Sequence, residues 1–266
     1  MILAVGGDVS WWGLAASLLM VAAVGVLSWR QKLRLERDLV VAVVRSLAQL
    51  LAVGAALGLI VDRDTWIGWS FVWVGAMVVF AAVTVSRRAP RLPGVLGVAF
   101  LAIGTSAALG LGLLFVLGIF PVEGRTVVPL AGMVVGNSLA AGVVAVRRLV
   151  DAVAERRADL EARLALGLPW PDASRPLVRN VLRLAIAPDV ERIKALGIVV
   201  LPGAMTGLIL AGVNPLDAVR VQLAMMYVIL GAVATTTTVV ALLGTRNLFT
   251  PDHRLRPLAR ETTDED

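Results

Sequence analysis

Apolar residues run almost unbroken along seven stretches of this chain, separated by polar segments. The runs cover residues 10–29, 39–61, 65–85, 95–120, 126–146, 195–213 and 218–243, each close to the roughly 20 residues a helix needs to cross hydrocarbon. Arg45 and Arg220 are the only charges inside them. The pattern predicts an all-α, polytopic integral membrane protein with about seven transmembrane helices. It is read as a single transmembrane domain, residues 1–266, with a cytoplasmic tail at 245–266.

The connecting segments alternate in charge. Residues 30–38, 86–94, 147–194 and 244–266 hold 21 Lys and Arg, whereas the opposite sides hold Arg63 and Arg125 alone. Cytoplasmic loops concentrate Lys and Arg, so this reading sets the N-terminus outside and the C-terminus in the cytoplasm. The first run lacks a preceding Lys or Arg and has Asp8 before it, unlike a cleaved signal peptide. Trp11, Trp12, Trp29, Trp66 and Trp69 flank the runs as interfacial anchors.

One connecting segment is long. Residues 147–194 are expected to form one long cytoplasmic segment. Leu149, Val153, Leu160 and Leu164 recur at helical spacing with charges on the other faces, which predicts that the fifth span continues as one long helix until Gly167 and Pro169. Pro169, Pro171 and Pro176 then bracket a predicted turn. A second amphipathic helix follows from about Leu177 to Ala187, with Arg175, Arg179 and Arg183 on one stripe. Such a stripe meets either anionic headgroups or an acidic protein surface.

Composition narrows the chemistry. Of 266 residues 58% are hydrophobic and 17% charged, and the mean hydropathy is +0.85, beyond what a soluble domain carries. Cys is absent and His253 is the lone histidine, which removes thiolate sites, His cages and a Ser-His-Asp triad. The only lysines are Lys32 and Lys194, neither in a Gly-rich loop, so no P-loop is present. The predicted spans hold no acid, which disfavours a carboxylate proton relay. The formal charge of +6 reflects the sidedness of the loops and not a nucleic-acid partner.

Several small or polar residues within the runs stand out. Gly54 and Gly58, Gly132 and Gly136, and Gly203 and Gly207 each place two glycines on one helix face, as helix packing in lipid favours. Pro202 predicts a kinked or broken sixth span, and broken helices at membrane depth line cavities or pack in protein. Gln49, Asn137, Pro202, Met205 and Thr206 are the candidates along a substrate path, with interhelical pairing the competing role. The hydroxyls of Thr235–Thr238 can bond to carbonyls one turn back.

Four motifs carry a resemblance. Glu161-Ala162 followed by Gly167 resembles the cytoplasmic coupling signature of ABC permeases, with Arg163 in place of its second Ala. Pro129-Leu-Ala-Gly-Met-Val-Val-Gly-Asn-Ser138 and Leu201-Pro-Gly-Ala-Met-Thr-Gly-Leu-Ile-Leu-Ala-Gly-Val-Asn-Pro215 resemble the hallmark stretches of the FetB-type (UPF0014) permease family. Arg45-Ser-Leu-Ala-Gln49 resembles the start of that family's second span. The stretch Ala187–Lys194 departs from it by being more charged.

The resemblance implies a permease subunit of an ABC transporter in the bacterial plasma or inner membrane. It implies export of metal ions, iron foremost, and plant relatives of the family are linked to aluminium tolerance. No cofactor is expected in this chain, which would not itself be an enzyme; ATP and Mg²⁺ would be bound by a separate ATP-binding subunit. Glu161, Ala162, Gly167, Arg175, Arg179 and Arg183 would meet that subunit, and two permease copies would pair in membrane lipid. A gradient-driven carrier or channel, and a membrane scaffold that moves no solute, are the alternatives. Metal ligands are not identified by the sequence.

Overall fold

The computed structural model describes residues 11–60, 66–197 and 201–256. Among these, regular structure is helical apart from an isolated antiparallel bridge between Phe249 and Leu255 and a bridge position at Leu196. The helices are α1 (Trp11–Arg30), α2 (Glu36–Ile60), α3 (Gly68–Arg88), α4 (Val95–Val116), α5 (Gly124–Glu155), α6 (Arg157–Ala165), α7 (Trp170–Lys194), α8 (Gly203–Leu210) and α9 (Pro215–Leu248). Five of them, α2, α3, α4, α5 and α9, are long and apolar enough to cross a membrane, and α1 adds a shorter apolar stretch, Ala15–Arg30. The chain is a polytopic membrane protein.

Helices α4, α5 and α9 pack mutually into a bundle, and α3 joins it against α4 and α5. At one end Val85, Ile103, Val146, Leu149 and Leu248 close a core; towards the other, Leu114, Val127, Val134 and Met225 close a second. Lipid gives no hydrophobic drive for helix association, so close backbone approach and interhelical hydrogen bonds take its place. A Cβ on Gly110 would stand 3.2 Å from Val228 and 3.3 Å from Val134, and one on Gly142 would touch Val85 and Thr236. Ser106 and Ser138, both fully buried, share a 2.9 Å hydrogen bond between α4 and α5.

The basic segments 86–94, 147–151 and 246–256 meet at one end of the bundle. Arg91 pairs with Asp151 at 3.5 Å, and Asn247 Nδ2 donates to the Pro93 carbonyl at 3.0 Å. Gly94 has φ +67°, and a Cβ there would also meet Asn247 Nδ2 at 2.9 Å; only glycine suits both demands.

Helices α1 and α2 form a hairpin. The Ser28 hydroxyl donates to the Glu36 carboxylate at 2.9 Å and accepts from the Leu35 amide at 3.0 Å. The hairpin has no comparable packing on the bundle, and the apolar window of α2 is not buried within this chain.

Four expectations are corrected. Residues 147–167 are not one continuous helix: α5 ends at Glu155 and Arg156 (φ −110°, ψ 24°) separates it from α6. The bend turns Leu160 into the cluster of Val153, Leu177 and Val181, where it is fully buried. The three prolines do not bracket a turn. Pro169 is the N-cap of α7, and Pro171 lies in its first turn, where amide hydrogens have no helical acceptor anyway. Pro176 is accommodated inside, because Ala173, Leu177, Val181 and Ala185 bury one continuous face. The second amphipathic helix is accordingly not confined to 177–187 but runs from Trp170 to Lys194.

The sixth predicted span is not a continuous helix either. Residues 195–197 form a turn, 198–200 lie outside the described residues, and Pro202 (φ −65°, ψ 140°) caps the eight-residue helix α8. An eight-residue helix is about 12 Å long, well short of the bilayer. The break anticipated at Pro202 is therefore an outright helix start.

Candidate functional site

Two regions gather the candidate residues. The first is the elbow of α6 and α7 at the basic end. Helix α6 ends in a Schellman turn: the Gly167 amide donates to the Leu164 carbonyl and the Leu168 amide to that of Arg163, at 3.0 and 3.2 Å. Gly167 takes φ +88°, the left-handed position this turn reserves for glycine. Glu161 is exposed and accepts from Arg157 Nε at 2.8 Å. Ala162 is exposed beside it and its carbonyl accepts from the Leu166 amide at 3.1 Å. Leu166, at the tip, is 82% exposed, so the elbow presents an apolar knob flanked by charge.

Arg175, Arg179 and Arg183 are exposed along α7. Arg175 and Arg179 rim an open cleft of about 440 Å³ between α7 and α9, with Val178, Leu182 and Leu242 in its walls and Arg246 opposite. Trp170 closes one end of the cleft, its ring stacked on Phe249 at 5.6 Å between centroids. The Trp170 amide donates to His253 Nδ1 at 3.2 Å. The segment after α9 thus returns to cap the start of α7, a pairing over 83 residues that no local spacing signals.

The second region lies where α7 meets α5. Asn137 Nδ2 donates to the Met133 carbonyl at 2.7 Å. Its Oδ1 accepts from Arg192 Nη1 at 3.4 Å, while the same nitrogen is 3.3 Å from Asp189. Lys194 and Glu191 pair at 2.7 Å. Leu196, just beyond, packs on the cluster of Ala141, Met226, Ile229 and Val233. Residues 189–194, expected to remain in a loop outside the spans, therefore run back against α5.

The other path candidates do not converge there. Gln49 is exposed on α2, four residues beyond Arg45 on the same face. Thr206 donates to the Pro202 carbonyl at 3.2 Å, and Met205 is partly buried on α8, which packs on α9. Of the expected packing glycines, Gly54, Gly136, Gly203 and Gly207 have nothing near a would-be Cβ, Gly132 only Met77 at 4.0 Å, and the surroundings of Gly58 lie outside the described residues. Close approach within one chain falls instead at Gly110, Gly142 and Gly244. Thr237 bonds to the Val233 carbonyl at 2.9 Å as the threonine run suggests, but the buried Thr236 hydroxyl has no partner. No group of three or more His, Cys, Asp or Glu positioned for a metal occurs among the described residues.

Comparison with known proteins covers nearly the whole chain. Residues 11–249 match the family described as "Uncharacterised protein family (UPF0014)". The chain is 32% identical over 242 residues to the Protein ALUMINUM SENSITIVE 3 of Arabidopsis thaliana, covering 91% of this chain and 88% of that protein. It is 34% identical over 219 residues to the rice UPF0014 membrane protein STAR2, covering 82% and 76%. It is 30% identical over 242 residues to the Probable iron export permease protein FetB of Escherichia coli, covering 91% and 93%. No solved structure was found to match the chain.

Proposed function

The chain belongs to the UPF0014 membrane protein family, and we propose that it is the membrane-spanning permease subunit of an ABC transporter that exports metal ions, iron foremost. The observation that carries this reading is end-to-end similarity to a protein named as a probable iron export permease, with 93% of that protein covered. The elbow supports it: an exposed knob at Leu166, set by a glycine turn, stands beside an Arg-rimmed apolar cleft. Lacking a P-loop, the chain would take its energy from a separate ATP-binding subunit docked at Glu161, Ala162, Gly167, Arg175, Arg179 and Arg183. ATP and Mg²⁺ would sit in that subunit.

In this reading the Arg-rich end faces the cytoplasm, by the excess of Lys and Arg in its loops, and the membrane is the bacterial plasma or inner membrane. Seven membrane passages remain the working topology, the sixth supplied by the back of α7 with α8. Two copies pair, and the unburied apolar surface of α2 supplies area for lipid or for that pairing. Closure of the ATPase pair would push the elbow, and α7 would carry the displacement to α5.

Affinity purification of the tagged chain from its native membranes tests this. A P-loop ATPase should co-purify, and less of it with E161A or G167A. Cells lacking the gene should accumulate iron above wild type. Metal transport by the purified chain alone in liposomes, without any ATPase, would overturn the proposal in favour of a gradient-driven carrier.

A further inference from the structure

The charged turns at the end of α7 lie deep in the bundle. Asn137 is ten residues from Arg147, whose guanidinium sits at the basic end on the Arg88 carbonyl, and thirteen from Gly124, where α5 begins. At 1.5 Å per residue these are about 15 and 20 Å, which puts Asn137 near the middle of a hydrocarbon layer of about 30 Å. Arg192 reaches Asn137 directly, and Leu196 packs beside Met133 and Met226 at the same level or beyond it. Antiparallel packing of α7 on α9, from Trp170 beside Phe249 upwards, carries the helix to that depth.

On that register the four charges Asp189, Glu191, Arg192 and Lys194 fall near the mid-length of α5. In one chain the side chains of Glu191, Arg192 and Lys194 are 67, 53 and 65% exposed, and Asp189 is 17% exposed. Ionisable groups at this depth face a bundle interior or a water-filled cavity, because lipid cannot solvate them. Both interfaces are too far for the Lys194 stem to reach by snorkelling. The four carry no net charge, so the turn is polar without attracting one sign from afar.

Asn137 breaks that symmetry. One of its two amide hydrogens goes to the Met133 carbonyl, and its acceptor oxygen is turned towards Arg192 of α7. That oxygen and Asp189 Oδ1 converge on one nitrogen of Arg192. A guanidinium tethered to α7 thus occupies the position between two oxygen acceptors on two helices.

We propose that residues Asp189–Lys194 line a hydrated passage at half-depth, and that Arg192 bars it by bridging Asp189 to Asn137 when no solute is present. A small hydrated cation would meet the two oxygen-bearing side chains Asp189 and Asn137 once Arg192 swings aside. The inference rests on the reading of the chain as a permease. It deepens that reading by locating the passage and its barrier in the very helix the ATPase would push.

The natural chain has no cysteine, which makes a direct test available. Single cysteines at Glu191, Arg192 and Lys194 in the full-length protein, in native membranes, are exposed to a membrane-impermeant cationic methanethiosulfonate reagent. They should react at least about tenfold faster than F80C, which lies mid-way along α3 on an exposed apolar face, as hydrated and lipid-facing sites differ. Labelling no faster than F80C, while E155C at the basic end labels readily, would overturn the passage. For the barrier, M133C lies one turn beyond Asn137 on α5, and adding R192A or R192Q should speed its labelling several-fold. An unchanged rate in the variant that still inserts and folds would overturn the barrier. Labelling needs no ATPase, so these outcomes are distinct from failure to recover one.

Discussion

Arg147 directs both its Nε and its Nη2 at the carbonyl oxygen of Arg88, at 3.1 and 2.8 Å. A guanidinium fork on one helix thus satisfies the end of another, where carbonyls lack helical donors. The contact joins α5 to α3 at the basic end of the bundle. Replacing Arg147 by Ala should lower stability by about 1 kcal/mol, as expected for a partly exposed charge-assisted bond. Lys, which cannot place two donors on one oxygen, should recover less than half of that. Thermal unfolding in detergent of the two variants checks this ordering.

Gly244 is packed where a side chain does not fit. A Cβ there would stand 2.7 Å from Leu149 and 3.3 Å from Leu92, so G244V should cost about 1–3 kcal/mol by overpacking. G203A, with open space around it, should leave the unfolding temperature of the monomer nearly unchanged. Comparable losses for the two would contradict the packing described at α9.

The buried Ser106 and Ser138 hydroxyls bond to one another, and Ser106 also reaches the Ile103 carbonyl at 2.9 Å. Because Ser106 keeps that second acceptor, the pair should be weakly coupled. A double-alanine cycle should give a coupling energy below about 1 kcal/mol, in line with interhelical bonds in membranes. A larger value would show that the two hydroxyls act as one unit.

Gly167 holds the elbow at φ +88°. G167A forces a Cβ into the left-handed region, at a cost of about 1 kcal/mol, and should misdirect α6 against α7. ATPase recovery should therefore fall further than the small stability change explains. W170A, which removes the ring from Phe249 and from the cleft, should lower both, and W170F should restore part of each.

Hydropathy located the bundle helices because lipid demands what it measures. The runs 65–85, 95–120, 126–146 and 218–243 correspond to Gly68–Arg88, Val95–Val116, Gly124–Glu155 and Pro215–Leu248. The mismatches have a cause: α5 and α9 stay helical after leaving the apolar zone, and hydropathy reads the solvent rather than the backbone. The same logic hid the end of α7. Asp189 and Arg192 read as loop by charge, although Arg192 lies against Asn137, because a charged helix end packed on the bundle and an external loop look alike in composition. Gly167 was legible through its turn chemistry. The pairing of Trp170 with Phe249 and His253 was not, since contacts between distant segments leave no periodic trace.

That last pairing has a mechanical corollary. The chain leaves α9, folds back through the Phe249–Leu255 bridge, and grips Trp170 at the root of α7. Twenty-two residues further along the same rod, about 33 Å away, stands Arg192. Anything that tugs on the residues after α9, such as a fused tag, a protease cut or a bound protein, pulls on the handle of a shaft whose far end rests on Asn137 of α5.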